Sequence, residues 1–304
     1  MKLRRWGTAL RALTALVLVA IILHQVDWPV LGATLSNLQP LAAAAAMASF
    51  AAVSLLEALR LLLVMRPNAL TFLAALRLQV IGSAPGNVTP AQIGGDAYRI
   101  HRLNAEGLEL IPTSARLATL RMLSLAIVAT AATTLPLLDR TLITGALSFE
   151  PGLATGPGTY TAYAVACVGL ILIVALLWRV RSRVRGLIDR LGPAIRATTV
   201  AQLLIVTALM LMLRGLCLLL LSRCVGLDVT QAQALLVTCL AILATVMPVS
   251  VAGIGIREGV IVALLTTYTG SYEGSVGVAI LSRGLMIAQA CLGVGWWLGE
   301  RRGR

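Results

Sequence analysis

The chain has 304 residues, of which 59% are hydrophobic and only 12% charged, with aromatics at 4%. Such a composition excludes an ordinary soluble domain and points to a polytopic α-helical membrane protein, because runs of about 18–22 apolar residues satisfy their own backbone polar groups as membrane-crossing helices. The formal net charge is +13. In a chain with several spans this reads as arginine-rich cytoplasmic loops and anionic-lipid contact, and not as nucleic-acid binding.

In chain order, the first expected span covers roughly 8–25 and follows a basic start. It resembles a signal peptide in layout, but no small-residue cleavage pattern follows it, so it is read as uncleaved. The second span is expected at 41–59. A broken region at 69–110 follows, holding Pro85, Gly86, Pro90, Gly94 and Gly95 between apolar limbs too short for full crossings. A third span is expected at 117–138, a Gly-rich loop after it, and a fourth span at 160–179. A basic linker from Arg179 to Arg196 leads to a fifth span at 199–221. A second broken region at 232–268 contains "MPVSVAGIGIREG", and a sixth span covers 277–298.

If each broken region is a re-entrant hairpin, the basic residues sort to one face. The N-terminus, Arg60 and Arg66 with Arg99 and Arg102, the linker and the C-terminus fall together there. The loops at 26–40, 139–159 and 222–231 fall on the other face. The positive-inside bias makes the basic face cytoplasmic, with both termini on it, in a cell (inner or plasma) membrane. The expected fold is therefore an all-α, six-span protein with two broken-helix hairpins, about eight hydrophobic segments in one transmembrane domain over 1–304. Full crossing by each hairpin limb is the alternative, and leaves most loop sides unchanged.

A shift of 162 residues superimposes Asp96 on Glu258 and Arg121 on Arg283, so each acid precedes an arginine by 25 residues. The second span falls on the fifth and the third on the sixth. Each half, about 1–140 and 155–304, then carries three spans and one hairpin. Three is odd, so the second half is inserted upside down, an inverted-topology repeat of the kind that encloses a midplane site in transporters. Near their span ends, Arg121 and Arg283 would guard opposite mouths of one path, or snorkel to the nearest interface.

Arginine within a span costs about 2.5–3.5 kcal/mol at the helix centre on insertion scales, so each one requires a partner or a wet cavity. Arg214, in "LMLRGLCLLL", lies deepest, and no partner for it is evident. Asp96 and Arg99 share a face if "DAYRIHRL" is helical, either as part of a site or as a plain pair at a hairpin base. Arg257 and Glu258 are adjacent and are not expected to face each other: one faces the cavity and the other packs elsewhere. Gly94, Gly95, Gly253 and Gly255 permit tight turns and close backbone approach, and helices starting after them would present free N–H groups to a phosphate. Packing or loop glycines are the plainer alternative.

The five cysteines form no C-x-x-C pair, and His24 and His101 are far apart in sequence, so no metal site or cofactor is expected. No phosphate-binding loop, metalloprotease or hydrolase motif occurs.

The stretch "TPAQIGGDAYRIHRL" resembles the first motif of the lysylphosphatidylglycerol synthase transmembrane, or flippase-like, family. "MPVSVAGIGIREG" resembles its second. The resemblance implies a membrane domain that moves or admits a lipid. It also implies a headgroup site lined by Gly94, Gly95, Asp96, Arg99, Gly253, Gly255, Arg257 and Glu258, to which Arg121 and Arg283 are added from the repeat. The family's third-span motif sets acids around its arginine. Here "LRMLSL" has Leu120 and Ser124 at those places, which departs from the family pattern. The aminoacyl-transferase domain of bifunctional relatives is absent from the sequence given, so no enzyme activity is expected. The resulting expectation is a lipid translocase for an anionic or modified phospholipid or glycolipid headgroup. The alternatives are a non-catalytic membrane partner of a lipid, glycolipid or hopanoid pathway enzyme, and a lipid-carrier transferase.

Overall fold

In a computed structural model of the chain, the described residues are 22, 24–65, 70–89, 92–139, 142, 197–246 and 255–302. The expected fourth span, nearly all of the first, and Gly253 lie outside them. Among the described residues every bounded element is an α-helix. In chain order these are α1 (Trp28–Ser36), α2 (Pro40–Met65), α3 (Phe72–Asn87), α4 (Ile93–Ala105), α5 (Leu110–Leu138), α6 (Ala197–Cys224), α7 (Gln231–Val246), α8 (Ile256–Thr269) and α9 (Tyr272–Arg302).

Four of them, α2, α5, α6 and α9, are long and apolar enough to cross a membrane. They are apolar on nearly every face, and outward side chains such as Leu41, Ile111, Leu137 and Leu138 stand more than three-quarters exposed. A helix that is hydrophobic all round yet exposed on one side has lipid as its solvent on that side. These spans coincide with the second, third, fifth and sixth segments expected from sequence. Each begins one to seven residues earlier, and all but α5 end three to six residues later, because polar residues such as Thr113, Ser114 and Arg116 continue the helix beyond the apolar run.

The broken regions fold as helical hairpins. α3 has 16 residues and α4 has 13, while α7 has 16 and α8 has 14. At about 1.5 Å per residue none reaches across about 30 Å of hydrocarbon. In the first hairpin the limbs run antiparallel: Arg77 and Arg102 both reach Glu300, while nearer the tip Gly94 N–H donates to Thr89 Oγ1 at 2.8 Å. Glycine lets the limbs touch. A Cβ on Gly95 would sit 2.7 Å from the Gly82 carbonyl oxygen, and one on Gly94 would sit 2.5 Å from that of Pro85.

The repeat reads off the element list. Shifted by 162 residues, α2, α3, α4 and α5 fall on α6, α7, α8 and α9 within a few residues at each end. The direction of the equivalent helices decides the topology. Gln39 N–H donates to the Cys224 carbonyl at 3.0 Å, Cys217 Sγ contacts Ala46 O at 3.5 Å, and Ser49 Oγ donates to Leu213 O at 2.9 Å. As the residue number rises along α2 it falls along α6, so the equivalent spans are antiparallel and the second half is inverted. The hairpins follow suit. The open end of the first lies at Glu300, near the C-terminus of α9. The end of α8 lies beside the C-terminus of α5, where Tyr268 Oη donates to Leu142 O at 3.2 Å. The two hairpins thus enter from opposite faces, and described residues flanking their turns, such as Gly86, Gln92, Val246 and Arg257, face the bundle interior.

Candidate functional site

The described limbs of both hairpins line two confluent lobes of a cavity, of about 200 and 210 Å³. A water takes about 30 Å³ in the liquid, so each lobe has room for a group of several heavy atoms. Both lobes are lined by Glu57 and Gln79 from α2 and α3, by Gln92 and Arg99 at and in α4, by Arg121 from α5 and by Arg214 from α6. Asp96 and Arg60 line the first lobe only, and Arg257 the second only.

Three acid-centred clusters hold these arginines, Arg60 excepted. In the first half, Asp96 sits 2.8 Å from Arg99 Nη1 and 3.1 Å from Arg121 Nη2. The i,i+3 pairing expected within α4 is present, and the carboxylate also ties that hairpin limb to α5. In the second half, Glu258 Oε1 lies 2.9 Å from Arg283 Nε and 2.6 Å from its Nη2, tying α8 to α9 at the equivalent place. The sequence shift that matched Asp96 with Glu258 and Arg121 with Arg283 therefore matches two real ion pairs. The third cluster has no repeat mate: Glu57 accepts from both Arg214 and Gln79. Glu57 is the partner that Arg214 lacked in the sequence.

Several expectations are corrected by this geometry. Arg121 is the twelfth residue of α5 and Arg283 the twelfth of α9, so neither guards a mouth. Both helices start earlier than their apolar runs, which moves both arginines inward. Arg283 is also turned to Glu258 and lines neither lobe, whereas Arg121 lines both. Arg257 and Glu258 approach to 3.6 Å despite being neighbours, because Glu258 bends back. Arg257 faces the cavity and donates to Ser282 Oγ at 2.9 Å, while Glu258 packs away from it, the division of labour expected of the pair. The helix starts are less open than expected. Gly94 N–H is taken by Thr89 Oγ1, and Gly255 N–H by Glu258 Oε2 at 2.9 Å. Gly95 lines the second lobe, while Gly94 and Gly255 serve the chain path. Gly255 has φ 86°, a backbone state that glycine adopts without a Cβ clash.

Arg60, assigned from sequence to the cytoplasmic face, lies instead on the cavity wall, as does Arg99, which sequence set both among the basic residues of that face and in the expected headgroup site. Arg60 donates to Ser124 Oγ. Glu57, Arg60 and Gln79 are the site residues that sequence reasoning passed over. The signal was present: an acid inside the apolar run "SLLEALRLLL" is costly unless it is used. Among the described residues no three His, Cys, Asp or Glu side chains converge as a metal site.

An inverted pair of hairpins inside a bundle of apolar spans, around a cavity walled by ionised side chains, defines a polytopic all-α membrane protein. The chain belongs to the family described as the lysylphosphatidylglycerol synthase TM region, whose model matches residues 8–293. A search of curated proteins finds none that matches.

Proposed function

We propose that the protein carries an anionic lipid headgroup through the bilayer, holding it in the arginine-lined cavity while the acyl or prenyl tails stay in lipid. The observation that carries this reading is the wall itself: Arg60, Arg99, Arg121, Arg214 and Arg257 face a cavity lined by the limbs of two hairpins that enter from opposite sides. Ionised groups at that depth are expensive, and a route for a charged headgroup is the use that offsets the cost. Membership of a family named for lysylphosphatidylglycerol synthesis supports a lipid as the cargo. The reading is of a translocase and not an enzyme. Movement is passive or ion-coupled, since no nucleotide-binding motif occurs in the sequence.

The membrane we assign is the cell's inner or plasma membrane, with both termini cytoplasmic. The support is charge: the face bearing the C-terminus of α9 also carries Arg77 and Arg102, with Arg301 and Arg302 following Glu300 in sequence.

Reconstituted vesicles carrying fluorescent anionic lipid test the function. The wild type moves lipid between leaflets faster than empty vesicles, and Arg121→Ala slows it by about tenfold, the loss expected from removing one charged contact. Equal rates in protein-free vesicles, or no effect of Arg121→Ala in a folded variant, end the proposal.

A further inference from the structure

The charges around the cavity do not balance. Five guanidinium groups, those of Arg60, Arg99, Arg121, Arg214 and Arg257, face two carboxylates, those of Glu57 and Asp96, a surplus of three positive charges among the described residues. Extending the count to the adjoining Glu258–Arg283 pair leaves the surplus at three. Nor is either carboxylate free. Glu57 is held by Arg214 and Gln79, and Asp96 by Arg99 and Arg121. Arg60 has only a hydroxyl, that of Ser124, as its hydrogen-bonding partner in the described structure.

A surplus of that size inside a low-dielectric bundle is costly unless an anion of matching charge enters. A phosphodiester headgroup brings a single negative charge. A terminal phosphate brings about −1.5 to −2 at neutral pH, with three acceptor oxygens, and a diphosphate brings more. Arginine's planar fork is the side chain suited to such oxygens. A headgroup with an ammonium finds no carboxylate here that is not already engaged by arginine.

We infer that the cavity selects a terminal phosphate, a phosphomonoester or diphosphate at the head of a lipid, over phosphodiester and aminoacylated headgroups. The inference rests on the lipid-carrying reading above but concerns recognition, so binding tests it separately from movement.

The test titrates the full chain, purified in detergent, with phosphatidic acid, farnesyl diphosphate, phosphatidylglycerol, lysylphosphatidylglycerol and inorganic pyrophosphate, with bound ligand counted by native mass spectrometry. Phosphatidic acid and farnesyl diphosphate bind about tenfold or more tightly than phosphatidylglycerol, and lysylphosphatidylglycerol binds weakest. Arg60→Gln weakens the first two selectively. Glu57→Gln, which removes a competing carboxylate, tightens them, a gain that misfolding does not produce. Phosphatidylglycerol binding as tightly as phosphatidic acid, preference for lysylphosphatidylglycerol, or binding of none of the probes overturns the inference. Pyrophosphate binding as tightly as farnesyl diphosphate keeps the phosphate assignment and overturns its lipid part. The predicted preference in binding with no movement in vesicles keeps the inference and overturns translocation. Movement in vesicles with equal binding of all anionic lipids does the reverse.

Discussion

Glu57 holds Arg214 and Gln79 at once, so three transmembrane elements, α2, α3 and α6, meet at one carboxylate. Its side chain is only 15% exposed, whereas that of Arg214 is 37% exposed to the cavity. The two partners are therefore not equivalent. Removing Glu57 takes the counter-charge from Arg214 and raises the positive surplus at the cavity to four, whereas removing Arg214 lowers it to two and leaves Glu57 with Gln79. Glu57→Ala is expected to cost more stability than Arg214→Ala, the former about 1–3 kcal/mol. The double variant Glu57→Leu with Arg214→Leu recovers most of that loss, because a packed apolar pair needs no compensation. Thermal unfolding in detergent of the two single variants and the double variant checks the ordering. If the double variant loses the sum of the two single losses, the coupling is absent.

The hairpins depend on close approach, and their glycines are placed accordingly. Gly95 faces Gly82 so tightly that one methyl group would meet a carbonyl oxygen, and Gly293 of α9 lies against the backbone of Val80 and Ile81 in α3. Each is a small-residue contact of the kind that lets helices pack where no water-driven force presses them together. Gly95→Ala is expected to destabilise by about 1–3 kcal/mol through overpacking. Overpacking there also pushes α4, which carries Arg99, away from Gly82. The melting temperature reports the first effect and lipid-movement rate the second. Gly284, with open space around it, is the control, and Gly284→Ala leaves both unchanged. A Gly95→Ala protein with wild-type stability and rate contradicts the proposed role of the close contact.

At the scale of the molecule, inversion makes a directional claim about α2 and α6. Gln39 lies against Cys224 in the antiparallel arrangement, whereas a parallel pair would set position 39 at the opposite end of α6. Gln39→Cys is expected to form a disulfide with Cys224 under mild oxidation, seen as a mobility shift that reductant abolishes. The backbone approach of 3.0 Å at that point makes the bridge geometrically accessible with modest adjustment. A failure to cross-link there, with cross-linking of position 39 to the beginning of α6, would reverse the topology.

Much of this architecture was legible in the residues because a bilayer imposes hard constraints on sequence. Length and apolarity define spans, proline and glycine clusters break them, and an odd number of spans per half forces inversion. The matched Asp96–Arg121 and Glu258–Arg283 pairs were legible because duplication carries a spacing of 25 residues into both halves. Glu57 and Arg214 were not matched, since they are 157 residues apart and the shift places neither on a charged residue: Glu57 falls on Leu219, and Arg214 on Ala52. Only the antiparallel packing of α2 on α6 brings them together. Likewise, sequence placed Arg60 at an interface, and the tertiary structure turned it into the cavity. Periodicity and composition fix which segments lie in lipid, but the direction of a side chain that breaks an apolar run is set by what the neighbouring helices leave open, and that is decided only when they pack.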